Sequence, residues 1–223
     1  KSMLWRVEDN EPATIQEEIT SLGVRCASQE TDLMKEASIN LLFDSVEKYL
    51  GSPSILINNA TYSTTTSIDS ISSGELDNHY FVNLRAPILL TKKFVERFKE
   101  NKHGRVINIT SGQSLSAMSD EIAYAVTKGA IETFTQTMQH VLAYKNITIN
   151  AVNPGLTDSG WLESGWLDKK QIEIFRKRFP KGRLGLPEDA AKLVGFLVHE
   201  NADWITGQII HSEGGFVREN YDC

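Results

Sequence analysis

Short, continuous apolar runs alternate along the chain with longer stretches in which apolar residues recur every three or four positions. The short runs predict buried strands, at 54–59, 104–110, 147–152 and 208–211. The longer stretches predict helices, at 14–22, 35–50, 73–99, 120–144 and 187–199. A further short strand is expected over 24–32. Strands that alternate with helices favour an α/β fold whose parallel sheet is covered by helices on both faces.

One stretch, 156–186, interrupts this alternation. It holds four aromatic residues, Trp161, Trp166, Phe175 and Phe179. A long connection of this kind is often a lid or a wall of a substrate site, and we expect one here. The alternative is a surface excursion that packs its own aromatic side chains. We treat the whole chain, 1–223, as a single domain, since its length fits that size.

Composition narrows the possible functions. The chain has 23 basic and 29 acidic residues, so its formal net charge is −6, and it has no excess of Lys and Arg with which to bind nucleic acid or an anionic membrane. No apolar run approaches the roughly 20 residues that a membrane-spanning helix needs. The chain has 2 cysteines, and no signal peptide opens it. We therefore expect a cytoplasmic protein without a disulfide framework.

A tyrosine and a lysine provide the first chemical signal. Tyr124 and Lys128 are four positions apart on a predicted helix and therefore share one face. A free phenol has a pKa of about 10, and a nearby ammonium favours the phenolate and lowers that pKa. Such a pair can exchange a proton with a substrate hydroxyl or carbonyl. Because the spacing also arises by chance, it indicates catalysis only together with its surroundings.

Other polar residues follow predicted strands, where ligand crevices form in open α/β sheets. Ser111 comes just after the strand at 104–110, and its hydroxyl either binds a substrate oxygen or caps a turn. The run Asn-Asn-Ala at 58–60 and the run Asn-Pro-Gly at 153–155 end two other strands. Asn83 lies inside a predicted helix, where asparagine is mildly unfavourable. It therefore either faces solvent or has a specific role.

Together and in this order, these residues resemble the short-chain dehydrogenase/reductase family over 32–215. The resemblance implies a Rossmann-like, doubly wound, three-layer α/β/α fold. It also implies the transfer of a hydride between a nicotinamide cofactor and a carbonyl or alcohol. By the resemblance, Tyr124 is the catalytic acid/base, and Lys128 lowers its pKa and binds the nicotinamide ribose. Ser111 orients the substrate oxygen, and Asn83 holds a water that links Lys128 to solvent.

The same resemblance implies which residues bind the cofactor, and it implies no metal. Besides Tyr124 and Lys128, the cofactor-binding residues are Asp32, Leu33, Asn59, Ala60, Pro154, Gly155 and Thr157. Segments 205–208 and 213–215 match the final strand of the family, which usually packs at a subunit interface. Family members also pair through the helices predicted at 73–99 and 120–144. We therefore expect a homodimer or a homotetramer.

The sequence departs from the family in two places. The Asn-Asn-Ala run normally continues with glycine, but here Thr61 follows, and its side chain either crowds the cofactor or adjusts the loop. The family also opens with a strand, a glycine-rich turn, a helix and a second strand, and no G-x-x-x-G-x-G precedes the first helix here. We expect that this N-terminal β-α-β segment of the full protein is missing from the sequence. A genuinely short form that cannot bind cofactor is the alternative.

These observations predict an NAD(P)(H)-dependent oxidoreductase that reduces a carbonyl or oxidises a secondary alcohol of a small molecule. The positions that usually decide between NAD and NADP belong to the missing segment, and the resemblance to reductases favours NADP(H). The bacterial 3-oxoacyl-[acyl-carrier-protein] reductases are the members it resembles most, so a 3-oxoacyl-type substrate is one candidate. A non-catalytic dinucleotide-binding or oligomer-forming protein on the same fold is the main alternative. Another reaction on this scaffold, such as epimerisation or dehalogenation, is a third.

Overall fold

The computed structural model of the chain describes residues 11–99, 103–159 and 168–218. Its helices are α1 (Glu11–Ser21), α2 (Glu36–Tyr49), α3 (Ser73–Tyr80), α4 (Ala86–Arg97), α5 (Ile122–Ala143), α6 (Lys169–Lys177) and α7 (Pro187–Val198). Its strands are β1 (Ile55–Asn58), β2 (Gly104–Ile109), β3 (Ile147–Asn153) and β4 (Ile209–His211). Most of the predicted elements are confirmed, with small shifts at their ends.

The strands form one sheet of 4 parallel strands in the order β1-β2-β3-β4. They are rich in isoleucine and valine, whose branched side chains fit a pleated surface. Leu56 lies opposite Val106, and Val106 lies opposite Ile149, so these side chains point to the same face. Because all the strands run the same way, their carboxyl ends meet at one edge of the sheet.

Helices cover both faces of the sheet. On one face a buried cluster joins α2, α4 and α5 to β2 and β3, through Phe43, Phe94, Val106, Leu142 and Ile149. On the other face Ile107 and Val152 pack against Leu197 of α7. The neighbouring residues Val106 and Ile107 therefore belong to different layers, as the alternation of side chains along a strand requires. This is the predicted three-layer, Rossmann-like arrangement.

The prediction of a strand over 24–32 is wrong. This segment is irregular, and Val24 is 55% exposed. A strand needs a neighbour that pairs with its backbone groups, and within the described residues the sheet ends at β1 without a ladder to this segment. A side chain holds it instead, because the Arg25 guanidinium donates to the carbonyl oxygens of Tyr49 and Leu50 at 3.1 and 3.3 Å.

The first strand is buried on one face, although its apolar run predicts burial on both. Ile55 and Ile57 are 44% and 45% exposed, whereas Leu56 packs against the core cluster. Ile57 is in register with Ile107 and therefore points to the layer that contains α7. That helix lies over β2 and β3, and β1 is left uncovered on this side in the part of the chain that the structure describes.

The long helix predicted at 73–99 is interrupted. A π-turn, Phe81–Arg85, separates α3 from α4, and in it the backbone N–H of Ala86 donates to the carbonyl oxygen of Phe81. Such turns insert one residue into the helical repeat and are frequent at functional sites. The turn contains Asn83, which is 2% exposed. Solvent exposure therefore does not explain this asparagine.

The connection at 156–186 contains α6. Asp168 and Gln171 form a reciprocal capping box at the start of this helix, with both hydrogen bonds at 2.8 Å. Phe179 is 5% exposed and contacts Phe216, with ring centres 5.0 Å apart, and Phe175 is partly buried. Phe179 therefore serves packing, as the alternative to a substrate wall suggested. Trp161 and Trp166 lie outside the described residues.

Phe94 of α4 is fully buried in the core cluster against the sheet, so its truncation should cause a large loss of stability. We expect Phe94→Ala to lower the free energy of unfolding by about 3–5 kcal/mol, because it removes apolar contacts and leaves a cavity. Phe196→Ala makes the same change on α7, where the side chain is 47% exposed, and should cost about 1 kcal/mol or less. Urea unfolding of both variants measures the difference, and equal losses would contradict this description of the core.

Candidate active site

The carboxyl edge of the sheet brings the predicted site residues together. Asn59 and Ala60 follow β1 and are exposed. Ser111 follows β2 after one intervening residue, and Pro154 and Gly155 follow β3. This edge is where ligands bind in open α/β sheets. The structure therefore places residues from three strand ends at one candidate site.

A chain of buried side chains fixes this edge against α5. Asn58 and Asn108 lie opposite each other in β1 and β2, and Asn58 Nδ2 donates to Asn108 Oδ1 at 2.8 Å. Asn108 Nδ2 donates in turn to Thr135 Oγ1 of α5 at 2.9 Å. The helix that carries Tyr124 and Lys128 is thus tied to the strands by side-chain hydrogen bonds as well as by apolar packing.

The loop after β1 also fixes the start of α5. The Thr66 backbone donates to the carbonyl oxygen of Asp120 at 2.7 Å and accepts from the N–H of Ile122 at 3.0 Å. Its hydroxyl oxygen accepts from the N–H of Ala123 at 3.1 Å. Thr66 therefore satisfies N–H groups that a helix start leaves without intrahelical partners. The first turn of the helix, including Tyr124, takes its position from this loop.

The hydroxyls of Thr61 and Ser111 lie near the Tyr124 phenol and favour its phenolate form through hydrogen bonding. Ser111 Oγ accepts from the backbone N–H of Gln113 at 3.3 Å, so it caps the turn that follows β2. Burial, with the nearby Glu121 carboxylate, raises the pKa of Tyr124 to about 12, and the two hydrogen bonds lower it. The phenol is therefore held in its protonated form at neutral pH.

Lys128 is 4% exposed, and its ammonium donates to the carbonyl oxygen of Ile109 at 2.8 Å. Burial lowers the pKa of Lys128 to about 8. The ammonium lies 5.5 Å from the centre of the Tyr124 ring, but it is not among the causes that shift the pKa of that phenol. The spacing of the pair predicts a lowered tyrosine pKa. The contacts of the protein alone raise it instead, because burial outweighs the other effects.

The side chain of Asn83 is fully engaged with its neighbours. Its Oδ1 accepts from the backbone N–H of Tyr62 at 2.7 Å, and its Nδ2 donates to the Tyr62 carbonyl oxygen at 2.8 Å. Nδ2 also donates to Thr127 Oγ1, just before Lys128, at 3.2 Å. The carboxamide therefore connects the loop after β1 to α5. The water-holding role implied for Asn83 stays a prediction.

Thr61 occupies the position where the family has glycine. Its hydroxyl donates to Asn83 Oδ1 at 3.1 Å. The side chain thus joins the loop after β1 to the π-turn, an arrangement that the sequence did not suggest. Thr127 is another site residue that sequence reasoning missed, although its place within the run Tyr124–Lys128 was a usable signal.

The residues predicted to contact adenine lie before α2. Asp32 is exposed, and its carboxylate accepts from the backbone N–H of Met34 at 3.0 Å and pairs with Lys35 at 3.0 Å. These two interactions, the one with Lys35 first, lower the pKa of Asp32. The side chain of Leu33 packs against the core cluster. Asp32 thus presents a charged hydrogen-bond acceptor at the surface.

The turn after β3 is held by its own hydrogen bonds. Asn153 Oδ1 accepts from the N–H of Gly155 at 2.8 Å, and Thr157 Oγ1 donates to the carbonyl oxygen of Pro154 at 2.9 Å. Gly155 has a φ of +67°, and a Cβ there would lie 2.9 Å from Glu213 Cγ. Glycine is therefore required by the backbone conformation and by the close approach of Glu213.

The site has the features that a nicotinamide dinucleotide needs. An ammonium has three donors, and the one hydrogen bond described for Lys128 goes to a neutral carbonyl. Within the described residues no carboxylate forms an ion pair with it, although a buried charge is costly without such partners. Ribose hydroxyls can accept hydrogen bonds from the other donors of this ammonium. Lys128 therefore fits the ribose, and the exposed Asn59 and Ala60 leave room beside it.

Comparison with known proteins agrees with this chemistry. The model of a family described as enoyl-(acyl carrier protein) reductase matches residues 2–217. An uncharacterized oxidoreductase of Bacillus subtilis (strain 168), YjdA, is 47% identical over 205 residues, which are 91% of this chain and 80% of that protein. The 3-oxoacyl-[acyl-carrier-protein] reductase FabG of Aquifex aeolicus (strain VF5) is 30% identical over 91% of this chain and 81% of its own length.

Two solved structures share the fold. The 7α-hydroxysteroid dehydrogenase complexed with NADH and 7-oxo glycochenodeoxycholic acid aligns with a TM-score of 0.88 and 27% identity, over 94% of this chain and 82% of that one. The landomycin C-6 ketoreductase LanV with bound NADP and rabelomycin aligns with a TM-score of 0.81 and 26% identity, over 94% and 82%. The chain therefore belongs to the short-chain dehydrogenase/reductase family, and it is a nicotinamide-dinucleotide-dependent oxidoreductase that reduces carbonyl groups or oxidises secondary alcohols.

Proposed function

We propose that Tyr124 is the acid/base of a ketone reduction and that Ser111 and Lys128 support it. The observation that carries this proposal is the position of Lys128 at the carboxyl edge of the sheet, where its ammonium lies 5.5 Å from the centre of the Tyr124 ring and donates to the carbonyl oxygen of Ile109, two residues before Ser111. A substrate oxygen placed between the Ser111 and Tyr124 hydroxyls receives a hydrogen bond from the first and the proton from the second. The bound cofactor supplies the hydride in reduction and accepts it in oxidation.

Lys128 holds its positive charge beside the tyrosine ring, where a phenolate forms as the proton leaves. A cation at this place favours the phenolate over the neutral phenol. The same ammonium has donors left for the ribose of the cofactor, so it orients the cofactor and the tyrosine together. We propose both roles for Lys128, and a supporting role for Asn83, which holds Thr127 just before it.

The cofactor contacts follow from the same placement. Asp32 and Leu33 would hold the adenine end, and the exposed pair Asn59 and Ala60 would follow it along the edge. The turn at 154–157 would hold the nicotinamide amide. We propose NADP(H) rather than NAD(H), a choice supported by the likeness to LanV with its bound NADP, while the hydroxysteroid dehydrogenase was solved with NADH.

The proposed substrate is a ketone or the corresponding secondary alcohol of an apolar molecule. A 3-oxoacyl thioester is one candidate, supported by the likeness to FabG, and a polycyclic ketone is another, supported by the likeness to LanV. We further propose that 1–223 acts as one domain. No helix in the described part of the chain is long and apolar enough to cross a membrane. With Cys26 a free thiol, we propose the cytoplasm as its location.

We propose a homodimer or homotetramer that forms through α3 to α5. Exposed apolar side chains of α5 support this, including Val141 at 50% exposure. We expect light scattering to give the mass of two or four chains. A charge within the interface opposes association, so Val141→Glu should lower the mass of the assembly. Leu41→Glu on α2, at a side chain that is 66% exposed, is the control and should leave that mass unchanged. A wild-type mass of one chain at all concentrations would contradict the proposal.

Replacement of the acid tests the function directly. Tyr124→Phe removes the hydroxyl and keeps the ring, so we expect NADPH-dependent reduction of a 3-oxoacyl thioester or a cyclic ketone to fall at least about a hundredfold. Binding of NADPH and NADH, followed by cofactor fluorescence, should change little because the ring stays in place.

The matched control is Tyr144→Phe, which makes the same change at a tyrosine that is 83% exposed. It should reduce ketones at the wild-type rate. If wild-type protein binds either dinucleotide but reduces none of these ketones, the oxidoreductase role of Tyr124 would be wrong, and the protein would be a dinucleotide-binding member of the family.

The burial of Lys128 should cost stability. Its pKa of about 8 lies below the ordinary 10.5, and at about 1.4 kcal/mol per pH unit this difference is about 3 kcal/mol. Lys128→Met removes the charge and a hydrogen bond worth about 1–2 kcal/mol. We therefore expect this variant to be about 1–2 kcal/mol more stable than wild type at pH 7, and inactive.

The difference in stability between wild type and Lys128→Met should depend on pH with a definite sign. Between pH 8 and pH 10.5 the unfolded chain binds more protons at Lys128 than the folded chain does, so wild-type stability rises with pH across this window relative to the variant. The advantage of Lys128→Met should shrink there in urea unfolding. Lys92→Met, at a side chain 71% exposed, should show no such trend. A constant difference between wild type and Lys128→Met would show that Lys128 is not buried as a cation.

A further inference from the structure

The segment 213–218 follows β4 and folds back against the carboxyl edge of the sheet. The N–H of Phe216 donates to the carbonyl oxygen of Glu213 at 3.0 Å, so the chain turns soon after the strand. The N–H of Val217 then donates to the carbonyl oxygen of Arg178 at 3.0 Å, at the end of α6. This path brings the side chain of Glu213 to the turns that follow β2 and β3.

Asn153, at the end of β3, makes the first contact with Glu213. The Gly155 N–H can act only as a donor, so the Asn153 atom that it contacts at 2.8 Å is the oxygen. Asn153 Nδ2 is therefore the donor to Glu213 Oε1 at 2.8 Å, and it also contacts His211 Nδ1 at 2.9 Å. Because Asn153 is fully buried, the Glu213 carboxylate is tied to the end of β3 inside the protein.

Gly112, the residue after Ser111, lies against the same carboxylate. An added Cβ at Gly112 would collide with Glu213 Oε1 and with Arg218 Nη2. It would also lie 3.0 Å from Asn153 Nδ2. Glycine is therefore needed here for space, and the backbone beside Ser111 rests directly on these side chains.

The Glu213 side chain is itself firmly held. Arg218 Nη2 donates to the same Oε1 in an ion pair, and the side chains of Glu213 and Arg218 are only 10% and 21% exposed. The stem of Glu213 packs on Gly155, where an added Cβ would lie 2.9 Å from Glu213 Cγ and 3.1 Å from its Cα. Charge-assisted hydrogen bonds of this kind are among the strong ones. One side chain therefore touches both turns of the site.

Each of the two turns also has hydrogen bonds of its own. The turn after β3 is closed by the N–H of Gly155 and the hydroxyl of Thr157, and Glu213 takes no part in either bond. In the turn after β2, the N–H of Gln113 donates to Ser111 Oγ at 3.3 Å. Loss of the Glu213 side chain would therefore leave both turns formed but would remove a contact that they share.

We propose that Glu213 is a positioning residue that fixes the distance between Ser111 and the turn at 154–157. This inference rests on the proposed function, in which Ser111 binds the substrate oxygen and that turn holds the nicotinamide amide. Because the carbonyl and the cofactor must meet in one geometry, a small change in this distance slows the reaction. Glu213 acts through Gly112 and Asn153, and it exchanges no proton with the substrate.

Hydrogen exchange tests the contact without substrate or cofactor. Glu213→Ala removes the carboxylate, so the backbone amides of 111–115 should exchange about tenfold faster than in wild type. Glu213→Gln keeps the length of the side chain and an oxygen that accepts from Asn153, so exchange at 111–115 should stay close to the wild-type rate. The amides of β2 should exchange at the wild-type rate in both variants.

Steady-state kinetics tests what the contact does for catalysis. In Glu213→Ala, kcat for ketone reduction should fall about tenfold or more. KM and the dissociation constant of NADPH should change little, because both turns stay formed. Glu213→Gln should keep most of the rate. Glu47→Ala is the matched control, since Glu47 also pairs with an arginine, Arg97, but lies on α2, and it should alter neither kcat nor exchange at 111–115.

Arg218→Met is a second variant, and it decides the question if Glu213→Ala does not fold. It removes the guanidinium from beside Gly112 and leaves the hydrogen bond between Asn153 and Glu213 in place. We expect faster exchange at 111–115 and a lower kcat here too, with both changes smaller than in Glu213→Ala.

Three results would overturn the inference. One is unchanged exchange at 111–115 in Glu213→Ala and Arg218→Met. Another is exchange that is equally faster in β2, which would show a general loss of stability. The third is an equal loss of kcat in Glu213→Ala and Glu213→Gln, which would assign the effect to the charge rather than to the position of the oxygen. Failure of wild-type protein to reduce any ketone would overturn the proposed function instead, and hydrogen exchange would still decide whether Glu213 holds the turn after β2.

Discussion

The carboxamide of Asn83 is the contact on which the geometry of the site depends. It lies in the π-turn between α3 and α4 and binds both backbone groups of Tyr62 and the hydroxyl of Thr127. Tyr62 lies in the loop after β1, and Thr127 lies in α5 just before Lys128, so one buried group sets the distance between this loop and α5. An uninterrupted helix would shift the register after this point by one residue. The π-turn is therefore part of how the site is built.

The site concentrates polar groups that weaken the fold. Lys128 is buried as a cation, and the buried oxygens Asn58 Oδ1 and Thr110 Oγ1, at the same edge of the sheet, have no hydrogen-bond partner among the described residues. Each unsatisfied group costs about 1–3 kcal/mol. The apolar clusters on the two faces of the sheet offset these costs. A dinucleotide bound at Lys128, as proposed above, would supply acceptors for its ammonium and would thereby couple ligand binding to stability.

Sequence reasoning succeeded where a local pattern determines the structure. The strands at β1, β2 and β3 are continuous apolar runs, and the helices α2, α5 and α7 have apolar residues at helical spacing, so type and position follow from periodicity. It failed at 24–32 and at Ile57, because pairing and burial depend on which elements lie alongside. The site residues that follow the strands were identified from the order in which their motifs occur along the chain. The contact of Thr61 with Asn83 was not predictable, since it depends on how the loop after β1 folds against the π-turn.

In the mechanism proposed for Tyr124 and Lys128, the electrostatics of the site favour carbonyl reduction at neutral pH. Burial raises the pKa of Tyr124 to about 12, so the proton donor is in place for reduction, whereas oxidation requires a phenolate that is scarce at this pH. Lys128, with a pKa of about 8, remains largely charged at pH 7 and becomes neutral as the pH rises above that value. A rise in pH therefore has two opposite effects on the rate of oxidation. It increases the population of the phenolate, but it removes the positive charge of Lys128 that stabilises this phenolate. Reduction needs the protonated forms of both groups, and both are protonated at pH values below the pKa of Lys128, about 8.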